Sequence, residues 1–257
     1  KNYLEEIGIR LKHETQNYLF CHGDADQFYN AQLSGKLDEV YFHISRPQIM
    51  SDSALIHHKG NLVHAGLGGL DTSYTGKGVV IGIVDQGIDY NHPDFQNPDG
   101  STRVLRYWDH TVNDSSHPNY YDLYEKGIVW DSTSINNGTC TSIEVSSAHG
   151  STVSGMAASN GLANGTNKGF APEADLIVVE SDFSQDVYNW KLSIADACDY
   201  IFKVADSLNK PAVINLSLGD YYGTHDAKDP AAELINSLLD QKEGRIVVSA
   251  AGNSGVK

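Results

Sequence analysis

Residues 80–89 read VIGIVDQGID, and how this stretch is understood decides the fold. The apolar run 79–84 follows the turn-forming Gly76, Lys77 and Gly78. It is short and β-branched, which predicts a buried strand of a parallel sheet. Asp85 then stands at the carboxyl end of that strand, the edge of an open α/β sheet where ligands and catalytic side chains gather. Gly87 permits a tight turn close behind the carboxylate. Taken alone, an Asp after a strand also fits a Rossmann-type unit or a loop-capping residue, so the segments downstream must decide.

Three of them do. Residues 148–158 read AHGSTVSGMAA, a small-residue run that predicts a closely packed helix with His149 at or near its amino terminus. Most of the eleven histidines must be structural, but this one has a context the others lack. Residues 213–219 read VINLSLG and predict a strand followed by a Ser-Leu-Gly segment. Residues 245–251 form an apolar strand that leads to Gly252 and Asn253. An Asn at that place is either a turn former or an amide donor aimed at a developing oxyanion.

In this order and spacing, with Asp85 64 residues before His149, the segments resemble the subtilisin-like serine proteases, the subtilases. The resemblance covers residues 76–257 and implies a chemistry. Asp85 would hold the tautomer of His149 and stabilise the imidazolium, while His149 takes the proton of a serine attacking a peptide carbonyl. Asn253 and a backbone N–H would share the oxyanion. Ser217, Leu218 and Gly219 would bind the substrate main chain and wall the pocket for the residue before the scissile bond. The family's serine lies in a Gly-Thr-Ser segment that opens a helix after the Asn, and this sequence holds none. Gly138-Thr139-Cys140 and Gly150-Ser151-Thr152 lack both the surroundings and the position. The expectation is therefore a serine endopeptidase, a hydrolase whose serine lies outside this chain, so that the chain alone is inactive. The alternative is a catalytically inactive subtilase homologue acting as a binding or regulatory protein. Two departures bear on the choice: Gln86 stands where the family usually has Thr or Ser, and Ser151 where it usually has Thr.

The fold expected is α/β, a subtilisin-like parallel sheet with helices on both faces, preceded by a small α+β propeptide-like region. Residues 1–52 read as strand (Ile7, Ile9, Leu11), strand (around Tyr18 to Cys21), helix to about Asp38, and strand (Val40 to Ile44). That is the later part of a ferredoxin-like unit, and by resemblance a partial propeptide, which would make the molecule a zymogen. Its rival is a small extra domain with no inhibitory role. Residues 53–257 form the expected peptidase domain, incomplete after the oxyanion Asn. Its first helix falls in 53–75, and any propeptide cleavage site lies between Arg46 and His64. Between Asp85 and His149 runs a polar, tyrosine-rich insertion that is either functional or disordered, its aromatic residues read as packing. Helices are expected over 187–208 and 229–241, the second with Asp229 as cap and Pro230 in the first turn.

Composition agrees. A chain of 257 residues with 40% hydrophobic content can bury a core. A net charge of −15 argues against nucleic acid or anionic membrane as partner. No apolar run nears the ~18–20 residues of a membrane helix, and no signal-like segment opens the chain. Since subtilases are mostly exported, the protein is expected to be secreted or in the cell envelope, its signal removed or lying before Lys1. The expected partners are a protein or peptide substrate and the serine-bearing remainder of the same protease. Three cysteines are too few for a disulfide scaffold. Cys198 lies on an apolar helical stripe and reads as a buried thiol, whereas Cys140, in a Ser/Thr/Asn-rich stretch, reads as exposed. A Cys140–His149 protease is the sharp rival, with nothing to orient the pair. No cofactor is required. Asp89, Asp94 and Asp99 raise calcium as a structural ion, although solvated loop carboxylates explain them as well.

Overall fold

The computed structural model describes residues 4, 6–14, 19–33, 50–144, 148–220 and 223–253. Two units divide the chain, residues 1–48 and 49–257. In the first, β1 (Arg10–Glu14) pairs antiparallel with β2 (Leu19–His22), and α1 (Ala25–Leu33) follows. Among its described residues Leu4, Ile9 and Ala31 are buried and apolar. The alternation at Ile7 and Ile9 does not belong to the strand. Gly8 has φ of 77°, and the Ile9 N–H donates to the Leu4 carbonyl at 2.7 Å, so a turn precedes β1 and delivers Ile9 to the interior. The strand expected over 40–44 and the last helical residues toward Asp38 lie outside the described residues.

The second unit opens with two short helices, α2 (Met50–His57) and α3 (Gly60–His64). Then come β3 (Val80–Asp85), β4 (Val104–Asp109), β5 (Ile128–Asp131), α4 (Ser132–Asn136), α5 (His149–Ala158), β6 (Asp175–Glu180), α6 (Val187–Ser207), β7 (Ala212–Leu216), α7 (Pro230–Asp240) and β8 (Arg245–Ser249). Six strands form one sheet in the order β5-β4-β6-β3-β7-β8. All neighbours run parallel except β4 and β5. The antiparallel edge is the one departure from the parallel sheet expected. It arises within the tyrosine-rich insertion, where Gly127, at φ 68°, turns the chain back. A side chain there would meet the Asp109 carbonyl oxygen at 2.3 Å.

Period-two alternation sorts the strand residues onto two faces. Val80 and Val84 of β3 join Ile177 and Val179 of β6 in a core covered by Ile194, Cys198, Ile201 and Ala205 of α6 and Leu238 of α7. Gly82 points the same way, and a methyl group there would lie 2.7 Å from Ile201, so the missing side chain lets α6 settle onto the central strand. Ile81 and Ile83 turn to the other face, with Leu176, Val178, Tyr107, Trp130 and Ala158 of α5. Burial of each such aliphatic side chain contributes roughly 1.5–3 kcal/mol. The insertion's aromatic residues are packing residues: Trp108 is fully buried, and its ring lies 5.4 Å from Tyr121, 5.1 Å from Tyr124 and 4.8 Å from Tyr200. Asp229 caps α7 through its side chain to the Ala232 N–H, with Pro230 in the first turn. On the far edge, β8 leaves Ile246 and Val248 about half exposed, at 53% and 51%. Among the described residues no helix is long and apolar enough to cross a membrane.

Candidate active site

The alternation that sorts the core also aims Asp85. As the last residue of β3 it shares the face of Ile81 and Ile83, the face on which α5 lies. His149 is the first residue of that helix. Asp85 Oδ1 and His149 Nδ1 are 2.8 Å apart, the carboxylate 1% exposed and the imidazole 52% exposed. The Gln86 backbone N–H donates to the same Oδ1 at 2.8 Å, and among the described residues none donates to the buried Oδ2. A buried carboxylate gripping one nitrogen of a half-exposed ring is the arrangement in which an imidazole can take a proton from a nucleophile at the surface.

Two glycines permit the contact. Any side chain at Gly150 would stand 2.0 Å from the Gly87 carbonyl oxygen, so only glycine lets the first turn of α5 reach the loop behind Asp85. Gly87 itself has φ of 89° and would place a methyl group 2.3 Å from the Tyr107 hydroxyl. The helix is fixed at both ends. Glu144 accepts from the Gly150 N–H at 2.8 Å and the Ser151 N–H at 3.1 Å, and Ser151 Oγ accepts from the Asp89 N–H at 2.8 Å. At the other end the buried Arg103 guanidinium donates to the carbonyls of Ala158, Asp94 and Ala174 at 2.7–2.9 Å. An anion at the amino end and a cation at the carboxyl end both suit the helix dipole.

Beside Asp85 the parallel register lines up two more carboxylates, since Asp85 pairs with Glu180 and Glu180 with Asp109. Asp109 is satisfied by Thr111 and by the Ser142 hydroxyl at 2.5 Å. Glu180, 8% exposed, accepts from the Tyr107 hydroxyl at 2.7 Å. Burial, reinforced by the neighbouring Asp109 charge, pushes its carboxyl up to about 7. Neither Glu144, Glu180 nor Arg103 stood out in the sequence. The only signal available was Glu180's place at the end of an apolar strand. His110, also unremarked, is buried against Trp108 with ring centroids 4.1 Å apart, and burial lowers its pKa to about 3.

Ser217, Leu218 and Gly219 follow directly on β7, the neighbour of β3. Val84 pairs with Leu216, so Ser217 falls level with Asp85 at the carboxyl edge. Ser217 Oγ accepts from the Asn215 amide at 2.9 Å. Asn253 lies beyond the carboxyl end of β8, the strand paired to the other side of β7, and is exposed. Asp85 thus ends β3, Ser217 to Gly219 follow β7 and Asn253 follows β8, and Asp85 and His149 are in direct side-chain contact. Cys140 corrects an expectation: it is 9% exposed, with its thiol donating to the Ser142 carbonyl and burial pushing its pKa up. It packs with Trp130 and Tyr90 because the preceding short helix folds back on the sheet. Burial likewise pushes Cys198 up to about 12. Asp89, Asp94 and Asp99 turn to the N–H groups of Asn91, Ala163 and Ser101. Among the described residues no three His, Cys, Asp or Glu side chains converge as metal ligands.

The model of the subtilase family matches residues 76–257. The PII-type proteinase of Lacticaseibacillus paracasei is 28% identical over 188 residues, covering 71% of this chain and 10% of that proteinase. The minor extracellular protease Vpr of Bacillus subtilis (strain 168) is 31% identical over 193 residues, covering 72% of this chain and 19% of Vpr. This chain thus spans well under two thirds of either relative's length. Among solved structures, the CspB protease of Clostridium perfringens aligns with a TM-score of 0.58 at 25% identity, over 71% of this chain and 37% of that one. With a match that begins at the glycine turn launching β3 and takes in every strand of the six-stranded sheet, the chain belongs to the subtilase family.

Proposed function

We propose that this chain is the Asp- and His-bearing portion of a serine endopeptidase. The single observation that carries the reading is the 2.8 Å contact between buried Asp85 and half-exposed His149 at the carboxyl edge of a subtilase sheet. Asp85 orients the ring, and His149 takes the proton from a serine supplied by the remainder of the protease and returns it to the leaving amine. Asn253, with a backbone N–H, stabilises the oxyanion. Ser217, Leu218 and Gly219 hold the substrate main chain, consistent with their place level with Asp85. The half-exposed Ile246 and Val248 on β8 form an apolar strip that the serine-bearing segment would cover. Without that segment the chain does not hydrolyse peptides.

We read the first unit as propeptide-like, from its position ahead of the family match and its antiparallel strand pair with a helix. The whole protein is then a zymogen exported from the cell, a reading supported by the name of its extracellular relative. Its substrate is a protein or peptide. Intact-mass analysis of the native protein, followed by labelling with a serine-directed fluorophosphonate, tests the proposal. The expected result is a label on a serine-bearing segment associated with residues 1–257, lost on His149→Ala. A complete complex that takes no label would instead make the protein a binding or regulatory homologue.

A further inference from the structure

We infer that Glu144 is a positioning residue that sets the orientation of His149, an inference resting on the proposed role of His149 as the base. The residue at the amino-terminal cap of α5 is Ala148, in a left-handed conformation with φ of 53°, and it has no side chain able to satisfy the first N–H groups of the helix. Glu144 does so from outside the helix. Its two carboxylate oxygens take one N–H each, from Gly150 and from Ser151, the two residues that follow His149. Two acceptors on one rigid carboxylate fix the rotation of the first turn as well as its position, which a single-oxygen cap would not.

The other end of this connection reaches the Asp85 loop. The Glu144 backbone N–H points to the Ile88 carbonyl, three residues past Asp85, at 3.4 Å. Ser151, held by the Glu144 carboxylate, accepts in turn from the Asp89 N–H through its hydroxyl. Glu144 therefore joins the loop carrying the carboxylate to the helix turn carrying the imidazole. The 2.8 Å contact between Asp85 and His149 bridges the same two pieces. Gly150 makes the arrangement sensitive, because its position against the Gly87 carbonyl leaves no room for the turn to slide inward. A residue that served only helix stability would influence the amides of the first turn and nothing else. A positioning residue must also influence the Asp85–His149 hydrogen bond.

The test uses the full 257-residue chain labelled with 15N-histidine, with the His149 Nδ1–H resonance assigned by its disappearance in His149→Ala. In Glu144→Ala that resonance is expected to vanish through exchange with solvent. Amide exchange at Gly150 and Ser151 should accelerate about tenfold, with the amides of β6 unchanged. In Glu144→Gln, which keeps one acceptor oxygen, the resonance should persist but broaden. Faster exchange at Gly150 and Ser151 with an unaltered Nδ1–H signal would overturn the inference and leave Glu144 a simple cap. So would no change at either place. If Glu144→Ala fails to fold, an unaltered signal in Glu144→Gln overturns it alone. Fluorophosphonate labelling is blind to this result and the resonance is blind to the serine, so the failure of one reading is separable from the failure of the other.

Discussion

Glu180→Gln should stabilise this protein by an amount that grows with pH. The carboxyl sits 8% exposed under Gly87, with Asp109 and Glu144 as nearby like charges and the Tyr107 hydroxyl as a favourable partner. Its ordinary value of 4.5 is pushed up to about 7 in the folded state, first by burial and then by Asp109. Between those two values the native state keeps a proton that the unfolded chain has lost, so stability falls as pH rises through the window and levels off above it. The side chain should therefore cost the fold roughly 2–3 kcal/mol more at pH 8 than at pH 5. Glutamine has nearly the same shape, still accepts from Tyr107 and never ionises, so the variant escapes this loss. Urea unfolding of both proteins at pH 5, 6, 7 and 8 measures the difference, in which every other titrating group cancels. A variant-minus-wild-type stability that is flat across this range would refute the reasoning, because it would mean that Glu180 ionises equally easily in both states.

Three further outcomes follow from the geometry. Gly150→Ala drives a methyl group into the Gly87 carbonyl oxygen and should lower stability by roughly 2–3 kcal/mol, read as a fall in the urea midpoint. Arg103→Met keeps an apolar stem but takes the guanidinium from the carbonyls of Ala158 and Ala174 and leaves that of Asp94 with the Asn160 N–H alone, for a loss of about 3 kcal/mol, measured the same way. Chelation with EDTA should leave the melting temperature unchanged, since Asp89 and Asp99 accept from N–H groups of their own loops and Asp94 from that of Ala163. A fall of several degrees would mean that those carboxylates gather a cation.

Much of the site could be read from the letters because its parts sit where local pattern is strongest. An apolar, β-branched run ending in Asp85 can scarcely be other than a buried strand with its polar residue at the edge, and the structure ends β3 on that residue. The small-residue run after His149 likewise becomes α5, and Asp229 with Pro230 begins α7. What escaped notice depends on contacts and backbone angles that no sequence period reports. Glu144 is an ordinary acidic residue until Gly150 and Ser151 arrive against it. Arg103 reaches carbonyls as many as 71 positions away, and no period in the chain announces that. Ile7 and Ile9 alternate as a strand does, yet a left-handed glycine between them makes a turn. Cys140 looked exposed because its neighbours are polar. It is buried because Tyr90 and Trp130 pack over it, which composition within a short window does not report.

The half-exposed apolar pair on β8 carries a practical warning for anyone handling this polypeptide. Among the described residues β8 is paired on one side alone, to β7, so an outer rail of main-chain donors and acceptors accompanies Ile246 and Val248. Two molecules meeting along such rails can extend one another's sheets, and the tendency rises with concentration. Samples for spectroscopy should accordingly be followed by light scattering through a dilution series. A lysine introduced at Val248 should keep them monodisperse without touching the Asp85–His149 pair.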